Sequence, residues 1–186
     1  MNDLSVKIVA DPSRSPGRFT TAEFRRMCDV DAFSGMRVEL VDGEIERLNQ
    51  PRNPHSKRQA QLLLRLGQVC PEALLRVEIG IELDEGTVLG CDVAVLRAPM
   101  DDRDWLDPSD FALVVEVSVS TLARDLGLKL PRYAAAGVER YWVVDDAAMV
   151  VHVYGHPVDG EYRDTMIVRF GEPLTVPGTD ASITID

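Results

Sequence analysis

The stretch from Phe111 to Asp146 constrains the fold more than any other part of the chain. It opens with FALVVEV, an apolar run rich in valine, which is typical of a strand buried on both faces. Apolar residues then recur at the spacing of one helical face. These positions are Leu122, Leu126, Leu130 and Tyr133. RYWVV, which starts at Arg140, returns as a second apolar run, so the stretch predicts a strand–helix–strand crossover between two parallel strands.

The remaining segments fit one domain over residues 1–186, because this length suits a single hydrophobic core. Asp42-Gly43 predicts a hairpin turn within Met36–Leu48. Helices and strands alternate in the middle of the chain, which indicates an α/β fold with a mixed sheet flanked by helices. We expect an irregular lead over residues 1–18 and antiparallel strands over residues 147–186.

Several local predictions follow the same patterns. A short helix capped by Thr20 or Thr21 should run to Met27. Asn53 should cap the next helix, with Pro54 in its first turn. Residues 100–110 are acidic and contain proline, so they predict a surface loop. Residues 174–186 predict one last short strand. Pro131 predicts a kink in the crossover helix, or a helix that restarts near this residue.

The net charge of −11 argues against a general nucleic-acid-binding protein. The charge is unevenly distributed, however, because the segment from Arg47 to Pro71 contains five basic residues and no acidic one. This segment is either a small phosphate-contacting surface or an ordinary solvated helix face.

Other features of the composition exclude some classes of protein. No apolar run reaches membrane-spanning length, and the first residues lack the apolar core of a signal peptide. Cys28, Cys70 and Cys91 are odd in number and lack metal-ligand spacing. We therefore expect reduced, small core cysteines in a cytoplasmic protein.

Two apolar runs each contain one carboxylate, Asp92 in VLGCDVAVL and Glu116 in the first strand of the crossover. If the two strands are neighbours, the carboxylates would lie side by side and would repel each other unless a cation separates them. Carboxylate oxygens suit Mg²⁺ or Mn²⁺. The alternative is that one of them lies in water at a strand end.

Lys129 has two possible geometries. On a helical wheel it borders the face that packs on the sheet, so its stem could carry the ammonium to the strand ends. It could instead form an ordinary i, i+4 surface pair with Asp125. Glu39 alternates with apolar neighbours in the hairpin, which predicts a solvent-facing side chain, and His55 near a helix start predicts a polar surface residue.

Four segments together resemble the Uma2 family, which groups restriction endonucleases of the PD-(D/E)xK type. They are RVELVDGEI, NPHSKRQAQLLLRL, VLGCDVAVL and LVVEVSVSTLARDLGLKLPRYAAAGVERYWVVD. The segments occur in the family's order, and the match as a whole extends from about Thr20 to Val153. The resemblance implies a restriction-endonuclease-like core. It assigns the metal carboxylates to Asp92 and Glu116, and it gives Glu39 a reason to face the site.

Two positions depart from the family pattern. The proline before the metal aspartate is Cys91 here, and the lysine two residues after the glutamate is Ser118. In this family the lysine is displaced to the following helix, which fits Lys129. Ser118 and Asp125 would then support the site from outside the metal ligands.

The resemblance implies an endonuclease that hydrolyses DNA with Mg²⁺ or Mn²⁺, with Glu39, Asp92, Glu116 and Lys129 as catalytic residues. The basic residues that would contact phosphates are Arg52, Lys57 and Arg58. Two alternatives stay open: a non-catalytic interaction protein on the same fold, which the acidic balance and the displaced lysine favour, and a hydrolase acting on RNA. The sequence leaves the recognition site and formation of a homodimer open.

Overall fold

The computed structural model describes residues 17–100 and 105–186. The predicted irregular lead over residues 1–18 therefore lies almost wholly outside the described residues. The same holds for residues 101–104 of the predicted surface loop.

The chain forms short helices and one large sheet. The helical elements are α1 (Thr21–Asp29), α2 (Asn53–Leu66), α3 (Leu122–Arg124), a π-helical segment (Asp125–Lys129) and α4 (Leu130–Ala135). The strands are β1 (Arg37–Val41), β2 (Glu44–Leu48), β3 (Leu75–Asp84), β4 (Thr87–Leu96), β5 (Phe111–Ser118), β6 (Arg140–Asp145), β7 (Val150–Val158), β8 (Glu161–Arg169), β9 (Leu174–Thr175) and β10 (Ser182–Ile183). The predicted mixed α/β class is confirmed.

Eight strands form the main sheet in the order β2-β1-β4-β5-β6-β7-β8, and β3 pairs with the other edge of β4. The pair β5–β6 is parallel, as the crossover predicts, with Val115 opposite Trp142. The other pairs of the sheet are antiparallel.

Strand β4 divides one of its edges between two partners. It meets β1 at a single position, where Leu40 lies opposite Val88. Its pairing with β5 begins only at Val93, which lies opposite Val115. We call the unpaired edge of β4 between these points (residues 89–92), together with the facing end of β5 (residues 116–118), the fork.

The apolar core has two layers, one on each side of the sheet. Leu62 and Leu66 of α2 pack on one face with Trp142, and Tyr133 of α4 packs on the other with Tyr141. All eight residues of β5 are buried. A strand covered on both faces requires apolar residues on both, which is why FALVVEV shows no alternation.

The crossover helix is interrupted ahead of its proline. In the π-helical segment the N–H of Leu130 donates to the carbonyl of Asp125, five residues earlier, and α4 begins at Leu130 with Pro131 in its first turn. Proline lacks an N–H and is tolerated in the first turn of a helix. The predicted restart near Pro131 is confirmed, and Lys129 ends the π-helical segment.

The helix and hairpin starts are partly as predicted. Thr20 caps α1 and forms a capping box with Glu23, while the helix extends two residues beyond Met27. Asp42 and Gly43 have positive φ values of 51° and 82°, as a tight hairpin turn requires. The predicted Asn53 cap is wrong, because α2 starts at Asn53 and the preceding Arg52 makes no side-chain cap.

Two further predictions need correction. The C-terminal residues form two short strands, β9 and β10, that pair with each other, where one strand was expected. Leu106, in the predicted surface loop, is buried and forms a bridge with Ile81, because its apolar side chain joins the core beneath Tyr133 and Phe111.

No helix among the described residues is long and apolar enough to cross a membrane. All three cysteines are free; Cys70 and Cys91 are buried, as predicted, and Cys28 is partly exposed.

Candidate functional site

Side chains replace the missing ladder hydrogen bonds at the fork. The N–H of Gly90 donates to Glu39 Oε1 at 2.9 Å, and the Gly90 carbonyl accepts from Lys129 Nζ at 2.6 Å. On the β5 side, the N–H of Val117 donates to Asp92 Oδ2 at 2.6 Å. Buried backbone groups need partners, so the open ladder and these polar side chains require each other.

Lys129 lies at the strand ends and not on the surface. Its Nζ is 2.9 Å from Glu116 Oε1 and 3.3 Å from Glu39 Oε1, and the residue is 6% exposed. Asp125 instead accepts hydrogen bonds from the hydroxyls of Ser118 at 2.9 Å and Thr121 at 2.7 Å. This is the first of the two geometries that the sequence left open.

Glu39 is buried, so the solvent-facing position predicted from alternation is wrong. It is 2% exposed, and its Oε2 accepts from Arg124 at 2.5 Å. Alternation failed because both faces of β1 are covered. Leu40 packs against Phe24 on one side, while Glu39 meets the crossover helix on the other.

The charges of this group determine its protonation. Burial would lower the pKa of Lys129, but the neighbouring Glu116 and Glu39 charges outweigh it and raise this pKa above its ordinary value. Burial would raise the pKa of Glu39, yet Lys129 and Arg124 lower it. At neutral pH Lys129 is therefore a cation and Glu39 a carboxylate.

Glu116 is the residue whose charge the fold favours least. Burial raises its pKa well above the ordinary value, Asp92 and Asp125 add to the shift, and Lys129 opposes it. Tyr133, which the sequence indicated only as a core residue, donates to Glu116 Oε1 at 3.2 Å. No periodic pattern distinguishes such a tyrosine from an ordinary core residue.

Asp92 precedes Val93 and Glu116 follows Val115, and these two valines are the pair at which the β4–β5 ladder begins. The two carboxylates have different partners. Glu116 contacts Lys129 and Tyr133, whereas Asp92 contacts the Val117 N–H and lies 3.2 Å from His55 through its Oδ1. The two embedded carboxylates thus border the fork with separate sets of partners.

A second group adjoins the fork on the side of α2. His55, Glu78 and Asp92 each offer one ligand atom, and these three atoms lie within 4.8 Å of one another. Asp92 raises the pKa of His55, against the effect of burial. The predicted surface position of His55 is wrong, since its side chain is 16% exposed. The signal available was its place in the first turn of a helix that packs on the sheet.

The three predicted phosphate-contacting residues have different surroundings. Arg52 and Lys57 are exposed. Arg58 is half-buried, donates to Asp146 at 2.7 Å and lies over the ring of Phe170. Its contacts are therefore intramolecular, whereas Arg52 and Lys57 face solvent.

A cavity of about 540 Å³ lies beside the fork. Glu39, Glu78 and Gly90 line it together with the aromatic side chains of Phe24, Phe33 and Trp105. One side chain of each group, Glu39 and Glu78, therefore borders the same open space.

Comparisons with known proteins show the family and the fold. A family model described as "Uma2: Putative restriction endonuclease" matches residues 21–186. A crystal structure described as a putative nuclease belonging to DUF820 from Anabaena variabilis ATCC 29413 superposes with a TM-score of 0.65 at 19% identity, and the match covers 90% of this chain and 95% of that one. The search of curated proteins found no match.

Proposed function

The chain belongs to the Uma2 family of restriction-endonuclease-like proteins, and from this membership we propose that it is an endonuclease that hydrolyses phosphodiester bonds of DNA with Mg²⁺ or Mn²⁺. The observation that carries the proposal is the position of Lys129, which lies between Glu116 and Glu39 at the fork beside Asp92. The strand carries Ser118 two residues after Glu116, so the lysine is supplied by the crossover helix instead.

The residues at the fork fit a divalent cation. Asp92 has no Lys or Arg nitrogen in ion-pair range among the described residues, so its charge is matched only by an N–H and by His55. A buried carboxylate without a matching cation is costly. In the proposal Asp92 and Glu116 hold the ion. The bound ion would lower the pKa of a water molecule and offset the charge of the phosphate.

Lys129 would act as a fixed positive charge and not as a base. Its raised pKa keeps the ammonium protonated at neutral pH, and three acceptors hold it in place. A preorganised cation of this kind stabilises the negative charge that develops on a phosphate in the transition state. Tyr133 and the Gly90 carbonyl limit the positions that Lys129 and Glu116 can adopt.

Glu39 would accept a proton from the attacking water or orient it. Its lowered pKa keeps the carboxylate charged, and Arg124 fixes one of its oxygens. Arg124 also binds Glu46 of β2 at 2.7 Å, so the hairpin is tied to the crossover helix. Ser118 supports the arrangement by binding Asp125 at the start of the π-helical segment.

Exposed basic residues at the start of α2 would contact the DNA backbone. Arg52 and Lys57 lie in and beside the first turn of this helix, which also carries His55 next to Asp92. Phosphates bound there would therefore lie close to the fork.

The test is cleavage of supercoiled plasmid DNA with Mg²⁺ or Mn²⁺, and with EDTA as the metal-free control. We expect nicking by the wild type, none in EDTA and none by Asp92→Asn, with the variant's circular dichroism spectrum and melting curve unchanged in form. Metal-independent nicking, or nicking by Asp92→Asn, would contradict the proposal. Absence of cleavage with every DNA and every metal would favour the hypothesis of a non-catalytic interaction protein, which the net charge of −11 also supports. Cleavage of RNA alone would identify RNA as the substrate.

A further inference from the structure

The group formed by His55, Glu78 and Asp92 brings three elements together. His55 lies in the first turn of α2, Glu78 on β3 and Asp92 on β4, and their ligand atoms lie within 4.8 Å of one another. One imidazole and two carboxylates at such distances form a donor set for a divalent cation.

The imidazole is directed into this group without satisfying a hydrogen bond. His55 Nε2 is fully buried and has no hydrogen-bond partner, although Asp92 Oδ1 lies 3.2 Å away. A buried polar atom without a partner is unfavourable and calls for an explanation, such as a missing ion. A metal ion beside Nε2 and Asp92 would supply the missing interaction for both.

Glu78 is held in place by its neighbours. Its Oε1 accepts from Gln59, and the same amide donates to the carbonyl of Asp92 at 2.8 Å. Its Oε2 pairs with Arg37. Each carboxylate oxygen has two lone-pair sites, so these contacts leave room for a cation. Gln59 thus links two members of the group.

His152 offers an internal comparison. Its Nε2 is also buried without a hydrogen bond and lies 3.8 Å from Asp145, and its side chain is 17% exposed. Among the described residues, however, no third ligand atom completes a group with this pair, since the qualifying set is the one at His55. His152 is therefore buried to the same extent as His55 and also lies near an aspartate, but it belongs to no candidate metal site.

We propose that His55 and Glu78 ligate the same divalent cation as Asp92, so that the site prefers a first-row transition-metal ion to Mg²⁺. The inference rests on the proposed function for Asp92 as a metal ligand. Imidazole nitrogen is a poor ligand for Mg²⁺, which takes oxygen donors, whereas affinity for a mixed nitrogen and oxygen site increases from Mn²⁺ to Co²⁺. His55 would thus determine which ion the protein carries.

The first test is calorimetric binding of Mg²⁺, Mn²⁺ and Co²⁺ to the metal-free wild type, without DNA. We expect Co²⁺ and Mn²⁺ to bind more tightly than Mg²⁺. His55→Gln should reduce Co²⁺ affinity at least 10-fold, on the order of the loss of one ligand, and should change Mg²⁺ affinity much less. Glu78→Gln should weaken the binding of all three ions. The matched control His152→Gln should leave all affinities as in the wild type.

The second test needs no variant. Pulsed electron paramagnetic resonance of the Mn²⁺-loaded wild type should show a nitrogen coupling that changes when the protein is labelled with ¹⁵N-histidine. Absence of that coupling overturns the inference, as does an unchanged Co²⁺ to Mg²⁺ affinity ratio in His55→Gln.

These outcomes separate the inference from the proposed function. If Asp92→Asn and Glu116→Gln abolish metal binding while His55→Gln and Glu78→Gln do not, the nuclease proposal stands and this inference is wrong. If the wild type binds none of the three ions, both fail. If binding requires His55 but no DNA is cleaved, the inference stands and the nuclease proposal fails.

Discussion

Two groups of side chains border the fork and differ in how their charges are matched. We call them the lysine half (Glu39, Glu116, Arg124 and Lys129) and the histidine half (His55, Glu78 and Asp92). In the lysine half two cations face two carboxylates, and Lys129 has three acceptors within 3.3 Å. In the histidine half the imidazole nitrogen has no hydrogen bond, and Asp92 has no Lys or Arg partner among the described residues.

The difference indicates that Lys and Arg side chains balance the carboxylates of the lysine half, whereas none in the part of the chain that the structure describes balances Asp92 in the histidine half. Several charged hydrogen bonds within a buried group make it rigid, and here they hold Lys129 in one position. Asp92 makes no hydrogen bond with the neighbouring imidazole and has no Lys or Arg partner among the described residues, so a bound cation would lower its free energy. Variants in the lysine half should therefore change both stability and rate, whereas variants in the histidine half should mainly change metal binding.

The largest effect is expected for Lys129→Met. Loss of the ammonium should lower the rate of DNA cleavage by about 100- to 1000-fold, as for removal of one transition-state hydrogen-bond donor. It should also destabilise the fold by about 3 kcal/mol, because Glu116 would remain buried without a cation and Glu39 would keep only Arg124. Urea unfolding and plasmid nicking measure the two quantities separately.

The double variant Lys129→Met/Glu116→Gln serves as its control. It should recover much of the stability, since one unpaired charge is removed, but none of the activity. A Lys129→Met protein that cleaves as fast as the wild type would show that Lys129 is structural only.

The second effect concerns stability in EDTA. The pKa of Glu116 is raised in the fold, so the folded state binds its proton more tightly than the unfolded state does. The stabilising contribution of this proton is complete below the unfolded pKa and is lost as pH rises through the folded pKa. Wild-type stability should therefore decline over that interval, whereas the stability of Glu116→Gln should decline less as pH rises.

Denaturant midpoints measured across pH 4–9 check this prediction. Glu39→Gln is the matched control, because its pKa is lowered and its carboxylate is the stabilising form; this variant should be less stable than the wild type at neutral pH. Equal pH profiles for Glu116→Gln and the wild type would contradict the assignment.

The third effect concerns the exposed basic residues of α2. Replacement of Arg52 and Lys57 by Ala should weaken DNA binding about 10-fold at low salt. The slope of log K against log salt concentration should become smaller by about 2, because about 0.9 counterion is released per phosphate contact. Arg58→Ala should instead lower stability, because Arg58 binds Asp146 and packs on Phe170. A salt slope that falls only with Arg58→Ala would reverse this assignment, and fluorescence anisotropy at several salt concentrations distinguishes the two.

The crossover could be predicted from sequence because local patterns determine it. The apolar run from Phe111, the helical spacing and Pro131 together gave the parallel pair and the restarted helix. Alternation failed at Glu39 because burial of that face depends on the crossover helix, which is distant in sequence. The family resemblance implied that Glu39 faces the site, whereas its local pattern predicted a side chain in solvent.

The histidine half could not be predicted from sequence for a related reason. His55, Glu78 and Asp92 come from three separate elements, and no spacing relates them. In the β3–β4 ladder Val77 pairs with Val93 and Ile79 pairs with Cys91, so Glu78 lies opposite Asp92. Only the structure gives this register. The helical wheel left two geometries open for Lys129, and the structure has the one at the strand ends, where Lys129 is the last residue of the π-helical segment.

The smallest effect is expected for Asp125→Asn, which tests whether the lysine half depends on the start of the π-helical segment. Asp125 accepts from Ser118 and Thr121, and its backbone carbonyl accepts from Tyr141 at 3.1 Å. An amide oxygen can still accept these bonds, so we expect a loss of about 1 kcal/mol in stability. If the substitution displaces Lys129, we expect kcat to fall several-fold. KM and the affinity for Mn²⁺ should stay unchanged. A loss of Mn²⁺ affinity in Asp125→Asn, equal to that in His55→Gln, would show that the two halves are not separate.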